Sequence, residues 1–573
     1  MSRRPEAHSS IHFRRKRMSS PITGGRAIAE ILQAHGVEHV FFMDAILRRA
    51  LVEMEYLGIR RILAHSEIAA AYMADGYARV TGRPAVCMAQ SVGAANLAAG
   101  LQDACLAQTA IVALTGRQPA AMQYRNAYQE LAHEPLFRST TKNSMRVDQV
   151  EQVPHVLRQA FREATTGRPG PVHVDIAGHT GDAIGSAILD GYEPAGRPCA
   201  TAPAFRQPAE GRLVEEAAGL IADAQRPVIV ADMGVCTSAA QQALRRFAEH
   251  AAIPVVMSLD AKAVLPEMHP LNGGVAGTYS RACANRIVAA ADLVIFAGSI
   301  VGDHISHNWM LPRPGTPVIQ IDIDPAQLGR NYPDTLGLPG DARTVLEQLV
   351  QACRPGERAE WLALMGGFVR EWRDSAAQAR ASDAVPIRPE RLCAALSDVL
   401  PPDAILVADT GYSSQWTGTY VDLRHEGQHY LRAAGSLGWG FPASLGVKLA
   451  APHRPVVCFT GDGGFMYHMA ELETALRWGL NTITVVNNNH CLAQGTRSIM
   501  AAYEGSDGRR DEIYCYRPMD FAAIAQAMGC TGIRVTRPED FEAAFGQALA
   551  SDRPVVIDVV SDPDALAPLP WVP

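Results

Sequence analysis

Two oxygen-bearing side chains, Asp462 and Asn489, stand at the ends of two predicted strands late in the chain. Asp462 follows an apolar run at 455–460, and Asn489 comes shortly after a second run at 482–487. A segment of helical period at 466–478 connects the runs, which predicts two neighbouring parallel strands. Open α/β sheets bind ligands at the carboxyl edge of such strands. A carboxylate and an amide oxygen at that edge suit a hard cation such as Mg²⁺, which keeps an open face for phosphate oxygens.

Glycines flank the aspartate at Gly461 and Gly463. Because they lack side chains, they let the backbone approach a diphosphate closely. A lone Gly-Asp-Gly is a common turn, but here a helix, a strand and an asparagine follow it at a defined spacing. On these residues the chain resembles the acetolactate synthase-like family of thiamine-diphosphate enzymes, roughly over residues 22–560. The resemblance implies thiamine diphosphate and Mg²⁺ as cofactors.

The resemblance also implies which residues bind these cofactors. Asp462 and Asn489 are expected to ligate the metal through their side chains, and Cys491 through its main-chain carbonyl, so that its thiol is dispensable. The bulky Leu437 is expected to hold the cofactor in a bent conformation by packing. The full set of expected cofactor-binding residues is Glu67, Asn96, Thr410, Gly411, Tyr412, Ser413, Gly435, Leu437, Gly461, Asp462, Gly463, Gly464 and Asn489.

A thiamine enzyme also needs a carboxylic acid against the aminopyrimidine ring, because its hydrogen bond to the ring promotes loss of the cofactor's C2 proton. A predicted strand at 61–64 leads into a predicted helix at 67–79, which places Glu67 at the strand-to-helix turn. The family carries its catalytic glutamate at this position. The alternative is a first-turn glutamate that only stabilises the N-terminus of a helix.

The stretch 126–142 aligns without gaps to the family segment that lines the substrate pocket. Gln129 is therefore expected to be a catalytic residue that donates a hydrogen bond to substrate or intermediate. Lys142 is expected either to bind a carboxylate or to form a structural ion pair.

Around this pocket the chain departs from the family pattern. Residues 41–47 replace a glycine- and proline-rich loop, and an expected Gly-Pro-Gly turn keeps only Gly93. Asp44 in the replaced loop is expected to repel a second carboxylate-bearing substrate, which predicts poor self-condensation of pyruvate and an uncharged acceptor. The family commonly has an Arg-His pair directly before the glutamate, and this chain has His65 and Ser66 there. His65 is either a new acid–base group or a buried, satisfied histidine.

Biosynthetic acetolactate synthases hold FAD in their middle domain, and the sequence disfavours it here. The expected arginine-containing segment is 298–304 and has no arginine, and the expected histidine is Ala276. The retained stretch 322–329 also occurs in family members without flavin. FAD is thus possible but disfavoured.

The length of 573 residues and the alternation of strands with helices predict an α/β fold of three doubly wound parallel-sheet domains. A strand at 171–176 is predicted at a sheet edge, 191–208 is predicted to be a linker, and 357–381 a bridging helix. The expected domains are pyrimidine-binding at 22–190, middle at 209–352, and pyrophosphate- and metal-binding at 386–562.

Composition is that of a globular protein, with 48% apolar and 19% charged residues and a net charge of −7. It suggests neither nucleic acid nor a membrane as partner. Eleven scattered cysteines without a CxxC pair suggest no zinc site and no disulfide framework, and favour a reducing cytoplasm. Residues 1–20 are rich in arginine and serine, which indicates a disordered basic extension or an over-long start, with a transit peptide as the alternative.

The predicted function is a thiamine-diphosphate- and Mg²⁺-dependent enzyme that makes or breaks a carbon–carbon bond next to a carbonyl. The most specific version is decarboxylation of a 2-oxo acid with acyl transfer to an acceptor. The resemblance implies a homodimer or homotetramer with active sites at subunit interfaces. The alternatives are a 2-oxo acid decarboxylase or carbon–carbon hydrolase or lyase, and an inactive cofactor-binding paralogue. A nicotinamide dehydrogenase is disfavoured because no predicted strand leads into G-x-G-x-x-G.

Overall fold

The computed structural model describes residues 21–44, 46–178, 180–192, 199–506 and 508–573. The predicted N-terminal extension and residues 193–198 of the predicted linker lie outside the described residues. The chain forms three six-stranded sheets, in each of which all paired strands are parallel. The predicted fold class is confirmed. In the parts of the chain that the structure describes, no helix is both long and apolar enough to cross a membrane.

The first sheet has the strand order β3-β2-β4-β5-β7-β6, and a small antiparallel pair, β1 with β8, lies beside it. Its strands are β1 (Ile22–Thr23), β2 (His39–Phe42), β3 (Arg60–Leu63), β4 (Ala85–Gln90), β5 (Ile111–Arg117), β6 (Ser144–Val147), β7 (Val172–Ala177) and β8 (Ile188–Leu189). Its helices are α1 (Gly24–Ala34), α2 (Arg48–Tyr56), α3 (Glu67–Thr81), α4 (Gly93–Leu106), α5 (His133–Phe137), α6 (Val153–Thr165) and α7 (Asp182–Ser186).

The middle sheet has the order β11-β10-β9-β12-β13-β14. Its strands are β9 (Pro227–Ala231), β10 (Val255–Met257), β11 (Asn272–Val275), β12 (Leu293–Ala297), β13 (Val318–Asp322) and β14 (Thr335–Pro339). Its helices are α8 (Gly211–Asp223), α9 (Met233–Thr237), α10 (Gln241–Ala251), α11 (Ala282–Ala290), α12 (Asp303–Ser306) and α13 (Ala342–Ala352). The predicted bridging helix follows as α14 (Ala359–Arg380).

The third sheet has the order β16-β15-β17-β18-β20-β19. Its strands are β15 (Ile405–Ala408), β16 (His429–Arg432), β17 (Val456–Gly461), β18 (Ile483–Asn488), β19 (Thr531–Val535) and β20 (Val555–Val560). Its helices are α15 (Pro389–Val399), α16 (Tyr412–Tyr420), α17 (Gly440–Ala450), α18 (Asp462–His468), α19 (Glu471–Arg477), α20 (Thr496–Ala502), α21 (Asp511–Tyr514), α22 (Phe521–Ala527) and α23 (Phe541–Leu549).

One sequence prediction about an element was wrong. The strand predicted at a sheet edge is β7, which lies between β5 and β6. The edge strand is the short β6, whose mixed polar sequence gives little strand signal. The segment of helical period predicted at 466–478 is helical: it spans the end of α18 and all of α19, and Met469 and Ala470 between them keep helical dihedral angles.

The first and third domains meet where α3 crosses α17. A Cβ on Gly446 would lie 1.9 Å from the carbonyl oxygen of Met73, and a Cβ on Gly76 would lie 2.3 Å from that of Ala443. The two helices thus touch backbone to backbone, which only glycine permits at these positions. This crossing fixes the first sheet relative to the third and so helps to position residues that both domains contribute.

Candidate active site

The predicted metal residues lie at the carboxyl edge of the third sheet. β17 and β18 are parallel neighbours, Asp462 directly follows β17, and Asn489 directly follows β18. The prediction that both residues follow adjacent parallel strands is confirmed. The strand order reverses between β15 and β17, so this edge is also the topological switch point at which doubly wound sheets bind ligands.

Asp462 is a buried acid without a cationic partner. Its side chain is 3% exposed, and burial raises its pKa to about 6 although main-chain N–H groups of Gly463, His490 and Cys491 donate to it. Among the described residues no lysine, arginine or histidine forms an ion pair with it. The Oδ1 atom of the neighbouring Asn489 accepts only a 3.3 Å hydrogen bond, from the Cys491 N–H. A buried carboxylate and an amide oxygen in this arrangement fit a divalent cation.

Two of the glycines around Asp462, Gly463 and Gly464, have close neighbours in other loops. A Cβ on Gly464 would lie 2.9 Å from Asp409 Oδ2, and one on Gly463 would lie 2.6 Å from Leu492 Cδ2. At Gly461 the nearest atom to such a Cβ would be Ser413 Oγ at 3.7 Å. The glycine turn after β17 is therefore enclosed by the loops that follow β15 and β18.

The predicted diphosphate residues Thr410 to Ser413 form the turn from β15 into α16. Gly411 precedes the first residue of the helix, Tyr412, and has a φ of +69°. Its backbone faces the loop that follows β18, because a Cβ at Gly411 would lie 3.1 Å from Gln494 Oε1. The N-termini of α16 and α18 thus lie at the same edge of the sheet, where free N–H groups suit an anion such as diphosphate.

Asp409 holds these turns together, and the sequence analysis did not identify it. It is 1% exposed, and burial raises its pKa to about 6. Its Oδ1 accepts hydrogen bonds from the N–H groups of Thr410 (2.7 Å) and Gly438 (3.0 Å). Its Oδ2 accepts from the Gly440 N–H (3.2 Å) and the Thr460 hydroxyl (3.1 Å). The sequence does carry a signal that could have identified Asp409, because an aspartate stands there between a buried strand and a Thr-Gly turn.

Asp103 of α4 was also missed, and it anchors the other half of the Leu437 loop. This acid is fully buried. It accepts hydrogen bonds from the N–H groups of Ala434 (2.9 Å), Gly435 (3.2 Å) and Ser436 (3.0 Å). Leu437 follows directly, so its backbone position is set by an acid of the first domain. No sequence pattern marks Asp103, because the contact joins two domains.

Glu67 is the first residue of α3, as predicted, and Ser66 caps the helix by accepting from the Ala69 N–H. Its Oε2 accepts a 3.1 Å hydrogen bond from Asn96 Nδ2. A Cβ on Gly93 would lie only 2.4 Å from Glu67 Oε1, so the glycine retained in this turn makes room for the carboxylate. The structure therefore brings together two of the predicted cofactor-binding residues, Glu67 and Asn96.

Gln129 lies beside the same turn. Its carbonyl accepts a 2.6 Å hydrogen bond from the hydroxyl of Ser91, two residues before Gly93. Its side-chain amide donates to Tyr128 Oη at 3.3 Å. The predicted substrate-contacting glutamine is thus next to the Glu67 turn, with a φ of +59°.

Three expectations about the substrate pocket need correction. Lys142 forms no ion pair within the described residues, because its Nζ donates to the main-chain carbonyls of Glu163, Thr166 and Arg168, at and just beyond the end of α6. His65 is not buried: its ring is exposed, and Nε2 lies 2.8 Å from Glu473 Oε2. Asp44 is 67% exposed and lies 3.8 Å from Arg48, so its charge is not enclosed in a dry pocket.

A buried cluster under the Gln129 segment has the composition of a metal site, but its geometry is that of a hydrogen-bond network. His133, His173 and Asp175 are the group of three potential ligands found among the described residues. The hydroxyl of Thr115 lies 3.0 Å from His133 Nδ1, 2.6 Å from His173 Nε2 and 3.3 Å from Asp175 Oδ1. The hydroxyl thus occupies the place that an ion would need.

The chain is similar to known proteins along most of its length. Three family models match the chain: the N-terminal TPP binding domain of thiamine pyrophosphate enzymes at 22–136, their central domain at 214–349, and their C-terminal TPP binding domain at 409–559. The chain is 32% identical over 569 residues to a probable acetolactate synthase large subunit of Methanocaldococcus jannaschii, covering 95% of this chain and 93% of the relative.

Two further relatives are similar at the same level. The acetolactate synthase large subunit of Corynebacterium glutamicum is 32% identical over 575 residues, covering 96% of this chain and 89% of the relative. The large subunit of acetolactate synthase isozyme 1 of Escherichia coli is 32% identical over 544 residues, covering 94% of each. The chain therefore belongs to the acetolactate synthase-like family of thiamine pyrophosphate-dependent enzymes.

Proposed function

We propose that the protein binds thiamine diphosphate with Mg²⁺ at the carboxyl edge of the third sheet, decarboxylates a 2-oxo acid and transfers the acyl group to an acceptor. The observation that carries this proposal is the convergence of four turns, after β15, β16, β17 and β18, around the buried acids Asp409 and Asp462. When bound, the cofactor supplies the electron sink for cleaving the bond next to the carbonyl.

The metal and the diphosphate are assigned to different parts of this edge. We propose that Asp462, Asn489 and the Cys491 carbonyl ligate Mg²⁺. The diphosphate would be bound by Gly461, Gly463 and Gly464 and by the turn at 410–413, next to the N-termini of α16 and α18, which suit an anion. Gly435 and Leu437 belong to the anchored loop and would pack against the rest of the cofactor.

Glu67 is proposed to hold a proton at its carboxyl for the aminopyrimidine ring, with Asn96 keeping the carboxyl oriented through its 3.1 Å hydrogen bond. Gln129 is proposed to position the substrate through its side-chain amide. Both assignments come from the resemblance, and the shared turn at Ser91 and Gly93 supports them because it lies against all of these groups.

We further propose a homodimer or homotetramer in which each site combines two subunits. Large apolar side chains are exposed on both halves of the proposed site: Val92 is 45% exposed beside the Glu67 turn, and Tyr467 is 61% and Met466 38% exposed on α18. Exposed apolar groups clustered at a site of chemistry are typical of a surface that another protein covers.

Bound flavin is not part of the proposal, because residues 298–304 have no arginine and Ala276 stands where the histidine is expected. The loops after β9 and β12 also lie close together at the carboxyl edge of the middle sheet: the Gly234 N–H donates to the Gly298 carbonyl at 2.8 Å, and Ser299 Oγ donates to Asp232 Oδ2 at 2.6 Å. The expected domains, 22–190, 209–352 and 386–562, also remain proposals, each containing one of the three sheets.

The metal assignment predicts that Asp462→Ala abolishes binding of thiamine diphosphate, since the cation that neutralises the diphosphate loses its charged ligand. Isothermal calorimetry with Mg²⁺ and thiamine diphosphate measures this directly. The matched control is Cys491→Ala, which removes only a thiol and is expected to retain wild-type affinity. Wild-type affinity in Asp462→Ala would show that the metal lies elsewhere.

Glu67→Gln is expected to bind the cofactor normally but to slow exchange of its C2 proton. A glutamine cannot share a proton with the ring, and general acid–base groups contribute roughly 10²–10⁴-fold. Quenched deuterium exchange followed by NMR of the released cofactor gives the rate. An unchanged rate would show that Glu67 only stabilises the N-terminus of α3.

Mixing the two inactive variants tests whether the sites lie between subunits. If each site takes Glu67 from one subunit and Asp462 from its partner, a mixed dimer of Glu67→Gln with Asp462→Ala contains one intact site. Refolding them at equal amounts is then expected to restore about a quarter of wild-type activity, because half of the dimers are mixed in a twofold-symmetric assembly. No recovery above either variant alone would place each site within one chain.

The reaction itself is tested by supplying a panel of 2-oxo acids with and without aldehyde and 2-oxo acid acceptors, and with and without FAD. We expect CO₂ release, a condensation product that requires the acceptor, and no dependence on FAD. Release of CO₂ with the aldehyde as the sole other product would identify a simple decarboxylase. Absence of turnover with every pair, in a protein that binds the cofactor, would identify an inactive paralogue.

A further inference from the structure

Cys491, whose carbonyl is a proposed metal ligand, faces Cys515 across paired backbone. They form an isolated antiparallel bridge. The Leu492 N–H donates to the Tyr514 carbonyl at 2.8 Å, and the Tyr516 N–H donates to the His490 carbonyl at 2.7 Å. These hydrogen bonds lie on either side of the two cysteines. Cys491 and Cys515 are therefore a non-hydrogen-bonded antiparallel pair, which is the closely spaced kind.

This geometry suits a disulfide. In a pair of this kind the two Cα atoms are about 4.5 Å apart and the side chains lie on the same face. Disulfides span Cα separations of about 4.4–6.8 Å. The sequence provides eleven cysteines, all within the described residues, and these two are the ones that stand opposite each other on paired backbone.

The two thiols differ in access. Cys515 is exposed, whereas Cys491 is buried with 6% of its surface exposed. Among the eleven cysteines of the described chain, Cys515 is the one that is exposed. A reagent in solution therefore meets Cys515 first, and Cys491 is placed to attack the modified sulfur from within the protein.

The segment between these cysteines covers the proposed cofactor edge. A Cβ on Gly463 would lie 2.6 Å from Leu492 Cδ2 and 3.2 Å from Tyr516 Cε2. Gln494 lies against Gly411, at the start of α16. Residues 491–506 and 508–516, which we term the covering segment, thus contact both turns on which the diphosphate is proposed to lie, through Leu492, Gln494 and Tyr516 near the ends of the segment.

We propose that Cys491 and Cys515 form a reversible disulfide that fixes the covering segment over the cofactor edge, so that exchange of metal and thiamine diphosphate depends on redox state. The inferred effect on exchange of metal and thiamine diphosphate rests on the proposed function, whereas formation of the disulfide does not.

The reaction needs a small disulfide as oxidant. The Cys515 sulfur attacks one sulfur of this reagent, which releases one thiol and leaves a mixed disulfide on Cys515. The Cys491 sulfur then attacks the Cys515 sulfur, which forms the protein disulfide and releases the second thiol. Two protons and two electrons leave the protein and convert one disulfide into two thiols, and a dithiol reductant reverses the change.

The experiment uses the full chain loaded with Mg²⁺ and thiamine diphosphate and equilibrated with oxidised glutathione or dithiothreitol. After denaturation and alkylation, mass spectrometry counts free thiols and identifies linked peptides. We expect oxidised wild type to lose two of its eleven alkylatable thiols in a Cys491–Cys515 peptide pair, and Cys515→Ser to lose none by this route. Cys105→Ser, which alters a partly buried cysteine outside the segment, is expected to form the link like wild type.

The same samples test the effect on cofactor exchange. Release of thiamine diphosphate into EDTA is expected to be several-fold slower for the oxidised enzyme, to recover with dithiothreitol, and to be insensitive to redox state in Cys515→Ser. Glutathione retained on Cys515 without a link to Cys491 would overturn the pairing. A complete link with unchanged release would overturn control of exchange. A protein that binds no cofactor yet forms the link would contradict the proposed function while leaving the disulfide established.

Discussion

Two buried carboxylates hold one loop, and the geometry of the proposed active site depends on them. Asp103 accepts hydrogen bonds from the three main-chain N–H groups of residues 434–436, and Asp409 accepts two more hydrogen bonds, from the N–H groups of Gly438 and Gly440. A buried charge is tolerated only when it is paired and hydrogen-bonded. If the loop moved, both acids would lose their donors in a dry environment, so the loop and the elements that carry the acids must keep their relative positions.

Helix α4 transmits this constraint to the other half of the site. Its first residue, Gly93, and its fourth, Asn96, contact Glu67, while Asp103 near its end holds the loop of the third domain. Arg79 strengthens the junction, because its guanidinium pairs with both Asp75 and Asp103 at 2.6 and 2.9 Å. The acid proposed for the pyrimidine and the loop proposed for the cofactor's bend are therefore positioned by a shared set of buried charges.

Local sequence was sufficient where one element alone defines the feature. The alternation of apolar runs with helical periods predicted the parallel strands before Asp462 and Asn489, and a strand followed by a helix start placed Glu67. These patterns follow from how a strand or helix buries its own side chains, which neighbouring residues determine.

The rest could not be predicted because it arises from contacts between distant segments. Asp103 looks like any helical acid until the third domain packs on it, and Lys142 acquires its role only because the end of α6 and the loop after it present three carbonyls to it. Strand β7 was assigned to an edge because β6, four residues long and partly polar, has little signal of its own. The roles of the site residues themselves stay predictions.

The two acids hold the 434–440 loop through main-chain N–H groups on either side of Leu437, so these hydrogen bonds do not depend on the side chain at 437. Gly438 is not free in the same way, because it has a φ of +85° and a Cβ there would lie 2.6 Å from Tyr467 Cβ. Evolution can therefore exchange the residue at Leu437, and with it the shape proposed to face the cofactor, without losing the hydrogen bonds that hold the loop. The anchoring separates the part of the site that must be constant from the part that is free to diversify.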